Sequence, residues 1–332
     1  MGMEEHVARP LLSIAMPTRD RPKLLQRALD SVVRATTPMA EHVEVTVSDG
    51  SADDATEQVV QRFTANWPGR HRYVRNRPAL SLPENINRAI ELTTGEWVLQ
   101  LHDDDYLLPG AGTVILDATR RMEPAERVVL FGVEVVDEHG ARRKAQTFRR
   151  EQYLEPRAAL RPLLSNSSFV RQPAGVVHRS AFEEEGLYDI TLDGPCDTEM
   201  WVRLFSRYGV RCVPHTTCAY TVHQAAATSG QWHPGTIRIL CEIFDRAVAR
   251  EVVSEQSIRR WQVDWFHQFI LAGAYRRLRV RQRAEARMVL RLFDLPEVRA
   301  LGVSLKWLPM RVAFAAATAG VRRRDETAPG GL

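Results

Sequence analysis

Residues 96–109 read EWVLQLHDDDYLLP, an apolar run followed by three consecutive carboxylates, Asp103, Asp104 and Asp105, and then Pro109. The short apolar segment 97–101, interrupted by Gln100 and bounded by polar residues, reads as a strand. Adjacent carboxylates repel. A hard divalent cation bound through oxygen, Mg²⁺ or Mn²⁺ bridging to substrate phosphates, is the common way to hold them together. In an open α/β sheet, ligands bind beyond the carboxyl ends of strands, which is where this triplet falls. The plain alternative is a solvated turn that caps a helix near Pro109.

Toward the N-terminus, three further apolar runs at 11–16, 43–48 and 71–75 read as strands, each followed by a helical stretch. The alternation predicts βαβ units and a largely parallel sheet. Pro22 stands where a first helical turn tolerates it, ahead of Leu24, Leu25, Ala28, Leu29, Val32 and Val33 at helical spacing. Asp54 with Glu57, and Ser81 with Glu84, read as capping boxes. Toward the C-terminus, 127–136 reads as a strand and 141–172 as a long connection. Residues 197–208 form a helix with Met200, Trp201, Leu204, Phe205 and Tyr208 on one face, and 210–213 and 218–222 are strands. The breaker-rich loop 224–235 precedes helical spacing from 236 to 321, so a boundary is expected there. It separates an α/β part, 1–228, which divides into halves 1–110 and 111–228, from a helical subdomain with a basic tail, 229–332.

The chain has 332 residues, with 45 Lys and Arg against 41 Asp and Glu. Residues 276–326 hold 13 of the bases and 5 of the acids, so the rest of the chain is slightly acidic and the basicity does not point to nucleic acid. The four cysteines form no Cys-x-x-Cys pair, which argues against a zinc module or a disulfide scaffold. The runs 11–16 and 312–321 are too short for a signal segment or a spanning helix. A reducing cytoplasm is expected; the basic C-terminal helices read first as a subdomain packed on the rest of the chain with a solvated Arg face, and second as a peripheral contact with the inner face of a membrane.

Three other segments could line the same crevice. Asp49, in VSDGSADD at 47–54, ends the second strand, and Gly50 permits a tight turn that lets the carboxylate accept from a ribose or base. Pro17, Thr18, Arg19 and Asp20 follow the first strand. There is no Gly-x-Gly-x-x-Gly after that strand and no Gly-x-x-x-x-Gly-Lys-Ser/Thr, which disfavours a dinucleotide site and a P-loop. In GPCDTEMWVR, 194–203, Asp197 shares a helix face with Met200 and Trp201, and Glu199 lies one turn before Arg203. Glu199 therefore reads as an ion-pair partner. Asp197 is either an N-cap or a partly enclosed general base. His223 ends the last strand, where an imidazole could meet a phosphate or a metal, although a lone His is more often structural.

In this order the segments resemble family 2 glycosyltransferases of the GT-A fold, over roughly residues 11–230. Ser13 to Thr18 resembles the opening strand that meets the nucleotide, Ser48 to Ser51 the Asp that holds uracil or ribose, and Pro83 to Asn87 the start of the third helix. His102 to Asp105 with Pro109 is similar to the Asp-x-Asp motif, and Cys196 to Trp201 to the segment carrying the base. His102 stands at the usual first Asp and Cys196 at the usual Glu.

The resemblance implies an α/β GT-A domain and transfer, with inversion, from a UDP- or dTDP-sugar to an acceptor hydroxyl on a small molecule, a glycan or a lipid-linked glycan. It assigns Asp197 as base. Pro17, Thr18, Arg19, Asp49, Asn87 and Asp103 would hold the donor, and Asp104, Asp105 and His223 a Mg²⁺ or Mn²⁺ ion. It allows a homodimer. A nucleotidyltransferase or a non-catalytic sugar-nucleotide binder on the same fold is the alternative.

Overall fold

The structure is a computed structural model and describes residues 9–192, 194–222 and 230–319. The chain divides into two compact units, Met1–Pro156 with Val170–Ala226, and Arg157–Phe169 with Ala227–Leu332.

In the first unit β1 (Leu12–Thr18), β2 (Val43–Asp49), β3 (Arg70–Arg75) and β4 (Trp97–Gln100) run parallel in the order β3-β2-β1-β4. The crossovers are α1 (Pro22–Thr36), α2 (Ala55–Asn66) and α3 (Leu82–Glu91). Every residue of β1, β2 and β4 is buried; β1 and β4 are accordingly mostly apolar, whereas β2 alternates Val43, Val45 and Val47 with the buried Glu44, Thr46 and Ser48. The polar groups that go inside with them are paired. The Ser13 hydroxyl donates to Glu44 at 2.6 Å, and the Thr94 N–H and hydroxyl donate to the same carboxylate at 2.6 and 2.9 Å.

Beyond β4 the sheet becomes mixed. β9 (Gly175–His178) pairs antiparallel with β4 and with β6 (Val128–Asp137), β10 (Val210–Val222) runs parallel to β6, and β5 (Tyr106–Leu107) closes the edge antiparallel to β10. Around it lie α4 (Ala111–Arg120), α6 (Arg179–Glu185) and α7 (Cys196–Tyr208).

Several sequence expectations are corrected here. Residues 210–222 are one strand, and the expected break is a pair of register shifts against β6 between Cys212 and Cys218, around Pro214, which has no N–H to donate. The stretch 141–172 is no simple connection. It holds β7 (Arg142–Gln146), β8 (Gln152–Leu154) and α5 (Pro156–Ser165). β7 is almost wholly exposed and pairs with β6 alone, so burial imposes no alternation on it, while α5 carries Pro162 in its interior. Asp54 does not cap α2. Its carboxylate pairs with Arg75, and Asp53 Oδ1 accepts the Ala55 N–H at 3.0 Å instead. At α3 the acid does reach back, Glu84 Oε2 accepting the Ser81 N–H at 2.9 Å.

The second unit comprises α5 from Arg157 onward with α8 (Pro234–Ala249), α9 (Glu255–Arg279), α10 (Arg283–Leu290), α11 (Pro296–Ala300) and α12 (Leu308–Ala317). Its centre is aromatic. Phe244 of α8 lies 5.8 Å from the rings of both Trp265 and Phe266 of α9, and Trp265 stacks on Phe269 at 5.2 Å. Gln268 binds the segment after α5, donating to Asn166 at 2.9 Å and accepting the Ser167 N–H at 3.1 Å. No helix among the described residues is long and apolar enough to cross a membrane.

Candidate active site

The chain runs from β1 to β2 and β3 on one side and returns to β4 on the other, so the carboxyl ends of β1 and β4 flank the switch point of the sheet. Ligands settle at such a point because the two loops diverge and leave a crevice. Here Thr18, the last residue of β1, donates its hydroxyl to Asp103 Oδ2 at 2.8 Å and joins the two ends. The Thr18 carbonyl accepts from the Gly50 N–H and from Asn85, both at 3.0 Å, drawing in the end of β2 and the start of α3.

The loop after β1 is fixed to the loop after β2. Asp20 is left-handed, with φ 54°, its N–H donates to Ser51 Oγ at 2.8 Å, and its Oδ1 accepts the Ala52 N–H at 2.9 Å. A non-glycine residue in this region is strained and persists only where partners over-determine it, as they do here. The turn presents two cations. Arg19 is exposed, its stem lying over Gly50. Arg21 Nη1 stands 3.3 Å from Asp103 Oδ1 and 3.4 Å from Asp104 Oδ2.

The triplet does not act as one group. Asp103 is 4 % exposed and held by Thr18 and Arg21, and burial together with the neighbouring Asp104 still raises its pKa above the usual carboxylate value. Asp105 is 1 % exposed, accepts the Thr221 N–H of β10 at 2.8 Å, and is raised further by burial and by Asp104. Asp104 is part-buried. Arg27 of α1 binds its carbonyl and donates to Thr221 Oγ1 at 3.1 Å, while its guanidinium lies 4.9 Å over the Tyr106 ring. His102, Asp104 and Asp105 offer ligand atoms within 4.8 Å of one another.

A buried polar chain determines the state of His102. The Trp201 Nε1–H can only donate, and it donates to Gln172 Oε1 at 3.1 Å, so Gln172 turns its amide nitrogen the other way, to Gln100 Oε1 at 2.9 Å and the Tyr188 oxygen at 2.7 Å. The Tyr188 proton then goes to Gln100 Oε1 at 2.7 Å. Gln100 is left with its nitrogen facing His102 Nε2 at 2.7 Å, and Nε2 must accept. The neutral ring therefore carries its proton on Nδ1. With Nε2 occupied and Nδ1 protonated, His102 is a hydrogen-bond donor beside the triplet, and Asp104 and Asp105 are the groups able to ligate a cation.

Asp197 lies in the first turn of α7, part-buried, with Oδ1 accepting the Thr198 N–H at 2.6 Å and the Thr198 hydroxyl at 3.2 Å. It is not the N-cap, a place taken by Pro195. Burial raises its pKa despite those donors, which is the condition expected of a base held out of bulk water. Glu199 is the structural partner expected, bonded by Arg203 Nε at 2.8 Å. Trp201 packs its ring against Gly175, where an added Cβ would lie 2.4 Å from the ring. Gly175→Ala is expected to destabilise the protein by about 1–3 kcal/mol through overpacking, read as a lowered melting temperature.

Two expected donor-binding residues are turned into the scaffold instead. Asp49 is fully buried and accepts from the Ser51 N–H at 2.8 Å and the Tyr73 hydroxyl at 2.9 Å. Asn87 is tied at both ends of its amide to the Tyr188 backbone, at 2.8 and 2.9 Å, fixing the segment that leads to α7. Pro17 is a buried strand residue paired in register with Ser48. His223 lies outside the described residues. Sequence reading missed Arg21, Arg27, Gln100, Gln172 and Tyr188. Arg21 is two positions past Arg19 in the same loop, whereas Gln172 sits in a stretch with no period to mark it.

The pattern of Glycosyl transferase family 2 matches residues 13–186 of this chain. The uncharacterized Mycobacterium tuberculosis protein MT1568 is 28% identical over 270 residues, 77% of this chain and 76% of that one. A Campylobacter jejuni protein, GalNAc(5)-diNAcBac-PP-undecaprenol beta-1,3-glucosyltransferase, is 33% identical over 108 residues, which are 32% of this chain and 34% of that protein. Among solved structures, S. aureus TarS 1–349 in complex with UDP-GlcNAc superposes with a TM-score of 0.65 at 15% identity, over 92% of this chain and 88% of that one. A family pattern that spans more than half the chain, on a fold with the site at the expected switch point, identifies the chain as a member of glycosyltransferase family 2, a glycosyltransferase of the GT-A fold.

Proposed function

We propose that the chain transfers a sugar from a nucleoside-diphosphate sugar, UDP-linked in the first instance, to an acceptor hydroxyl in a single displacement with inversion. The observation that carries this reading is the part-buried Asp197, with its raised pKa, on the helix whose Trp201 is wired through Gln172 and Gln100 to His102, the residue before the carboxylate triplet. The UDP-GlcNAc complex of the TarS fold supports a uridine donor. The undecaprenol-linked substrate named for the Campylobacter relative supports a lipid-linked acceptor.

Each group has a task. Arg19 and Arg21 meet the diphosphate, and Thr18 with Asp103 shapes the floor beneath the ribose. The turn after β2 receives the base, and the buried Asp49 holds that turn in place through the Ser51 N–H. Asp104 and Asp105 would hold Mg²⁺ or Mn²⁺, whose charge offsets that developing on the leaving diphosphate. His102 donates from Nδ1 to a donor oxygen. Asp197 removes the acceptor proton as the acceptor oxygen bonds to the anomeric carbon, and the bond from that carbon to the diphosphate oxygen breaks on the opposite face.

The test is a panel of UDP-, dTDP- and GDP-sugars followed by thermal shift with and without Mn²⁺, and then by NMR of the product formed with the best binder. A Mn²⁺-dependent rise in melting temperature with one uridine donor, slow donor hydrolysis without acceptor, and an inverted anomeric proton in the product are expected. Binding without hydrolysis or transfer would favour a non-catalytic binder, and retention at the anomeric carbon would sink the single displacement.

A further inference from the structure

The helical unit carries a surface that the transfer reaction does not use. Val303, Leu305, Leu308, Met310 and Val312 are 53, 81, 38, 43 and 59 % exposed. α12 has no buried residue in ten and a single charge, Arg311, whose guanidinium lies 4.1 Å over the Phe293 ring. Scattered exposed aliphatics are ordinary, but five within ten positions, with Leu308 and Val312 one turn apart on the same side of α12, concentrate apolar surface in one segment.

The patch is held firmly. Between Val303 and Leu305, Ser304 is buried, its hydroxyl donating to Asp264 and its N–H to His267 Nε2 at 3.4 Å, both on α9. Phe314 of α12 stacks on Tyr275 of α9 at 6.2 Å, and Tyr275 is itself half exposed beneath the Arg279 guanidinium. The fold thus pins the polar residue inward and holds the aliphatics outward.

Charge decides what covers this face. Lys306 is exposed within it, Arg279 is exposed over the Tyr275 ring that stacks on Phe314, and Arg283 is exposed at the start of α10. Residues 276–326 hold 13 bases against 5 acids. A second copy meeting the first through this face would set like charge on like charge. α12 spans about 15 Å, half of a bilayer core, and cannot cross one. We propose that this face of the helical unit, from Val303 through α12, rests in the interface of an anionic lipid bilayer, its aliphatics among the acyl chains and its Arg and Lys side chains at the headgroups. That would bring the chain to where lipid-linked acceptors reside. This consequence rests on the acceptor proposed above, whereas vesicle binding does not.

The experiment is sedimentation of the full chain with vesicles of phosphatidylcholine alone and of phosphatidylcholine mixed with phosphatidylglycerol, without any sugar nucleotide. Binding to the mixed vesicles is expected to be at least about tenfold stronger and to weaken with salt. Leu305→Asp with Val312→Asp should reduce it about tenfold or more while leaving the melting temperature and donor hydrolysis unchanged. The proposal is overturned if the parent does not bind anionic vesicles at low salt, or if the double variant binds as the parent does. It is also overturned if the parent is a dimer by light scattering that the double variant disperses.

Discussion

Asp197→Asn is expected to lower the transfer rate about a hundred- to ten-thousandfold, the range a positioned general base contributes. The substitution is chosen for its geometry. Asn can keep an oxygen where Oδ1 accepts from Thr198, so α7 and the Trp201 contact survive while the proton acceptor is lost. UDP-sugar affinity, read by calorimetry, should stay near the parent's. The signs of the pH effects follow from the raised pKa. Activity requires the ionised carboxylate, so the acid limb of the rate profile should lie above the ordinary Asp value of about 3.9. For stability, a pKa raised on folding contributes fully below the unfolded pKa, and that contribution is lost as pH rises through the folded one. The Asn variant escapes that loss and should be at least as stable as the parent at neutral pH. Comparable turnover by the variant would remove Asp197 from the mechanism.

Asp104→Ala is expected to cost about a thousandfold in transfer, since charge stabilisation at a leaving diphosphate is worth several kcal/mol at about 1.4 kcal/mol per decade. It should also weaken Mn²⁺ binding, measured by electron paramagnetic resonance in the absence of donor, by about a hundredfold. His102→Asn supplies the contrast. Gln100 leaves His102 only a protonated Nδ1, so an Asn amide that donates from a similar place should keep Mn²⁺ affinity near the parent's. Loss of Mn²⁺ in His102→Asn would show that the ring is a ligand. Retained transfer in Asp104→Ala, or in the parent with EDTA, would reject the cation.

How much of the site was legible depended on whether each group belongs to a local pattern. The triplet could be found because three acids follow an apolar run, and Asp197 because helical spacing puts it above Met200 and Trp201. The capping box at 54–57 was misread for the same reason, since spacing cannot register that Arg75, 21 positions away, competes for the Asp54 carboxylate. The polar chain from Trp201 to His102 was invisible. Its members lie on a short turn before β9, on β4, on α7 and on the segment before it, and nothing local links residue 172 to residue 100.

By itself the sequence determined the parallel half of the sheet, because short strand-like runs alternate there with amphipathic crossovers, the pattern of βαβ units. It also placed the acids at a strand's carboxyl end. The tertiary structure decided which of those acids are scaffold and which are presented. Asp103 is bound by Thr18 and Arg21, Asp105 by the Thr221 N–H, and Asp49 by Tyr73, and each of these partners comes from another element. It also decided the proton position on His102 and the outward set of Leu305 about the buried Ser304. The reason is common to all of them. Burial and hydrogen-bond direction depend on neighbours distant along the chain, whereas periodicity reports only which face of one element turns inward.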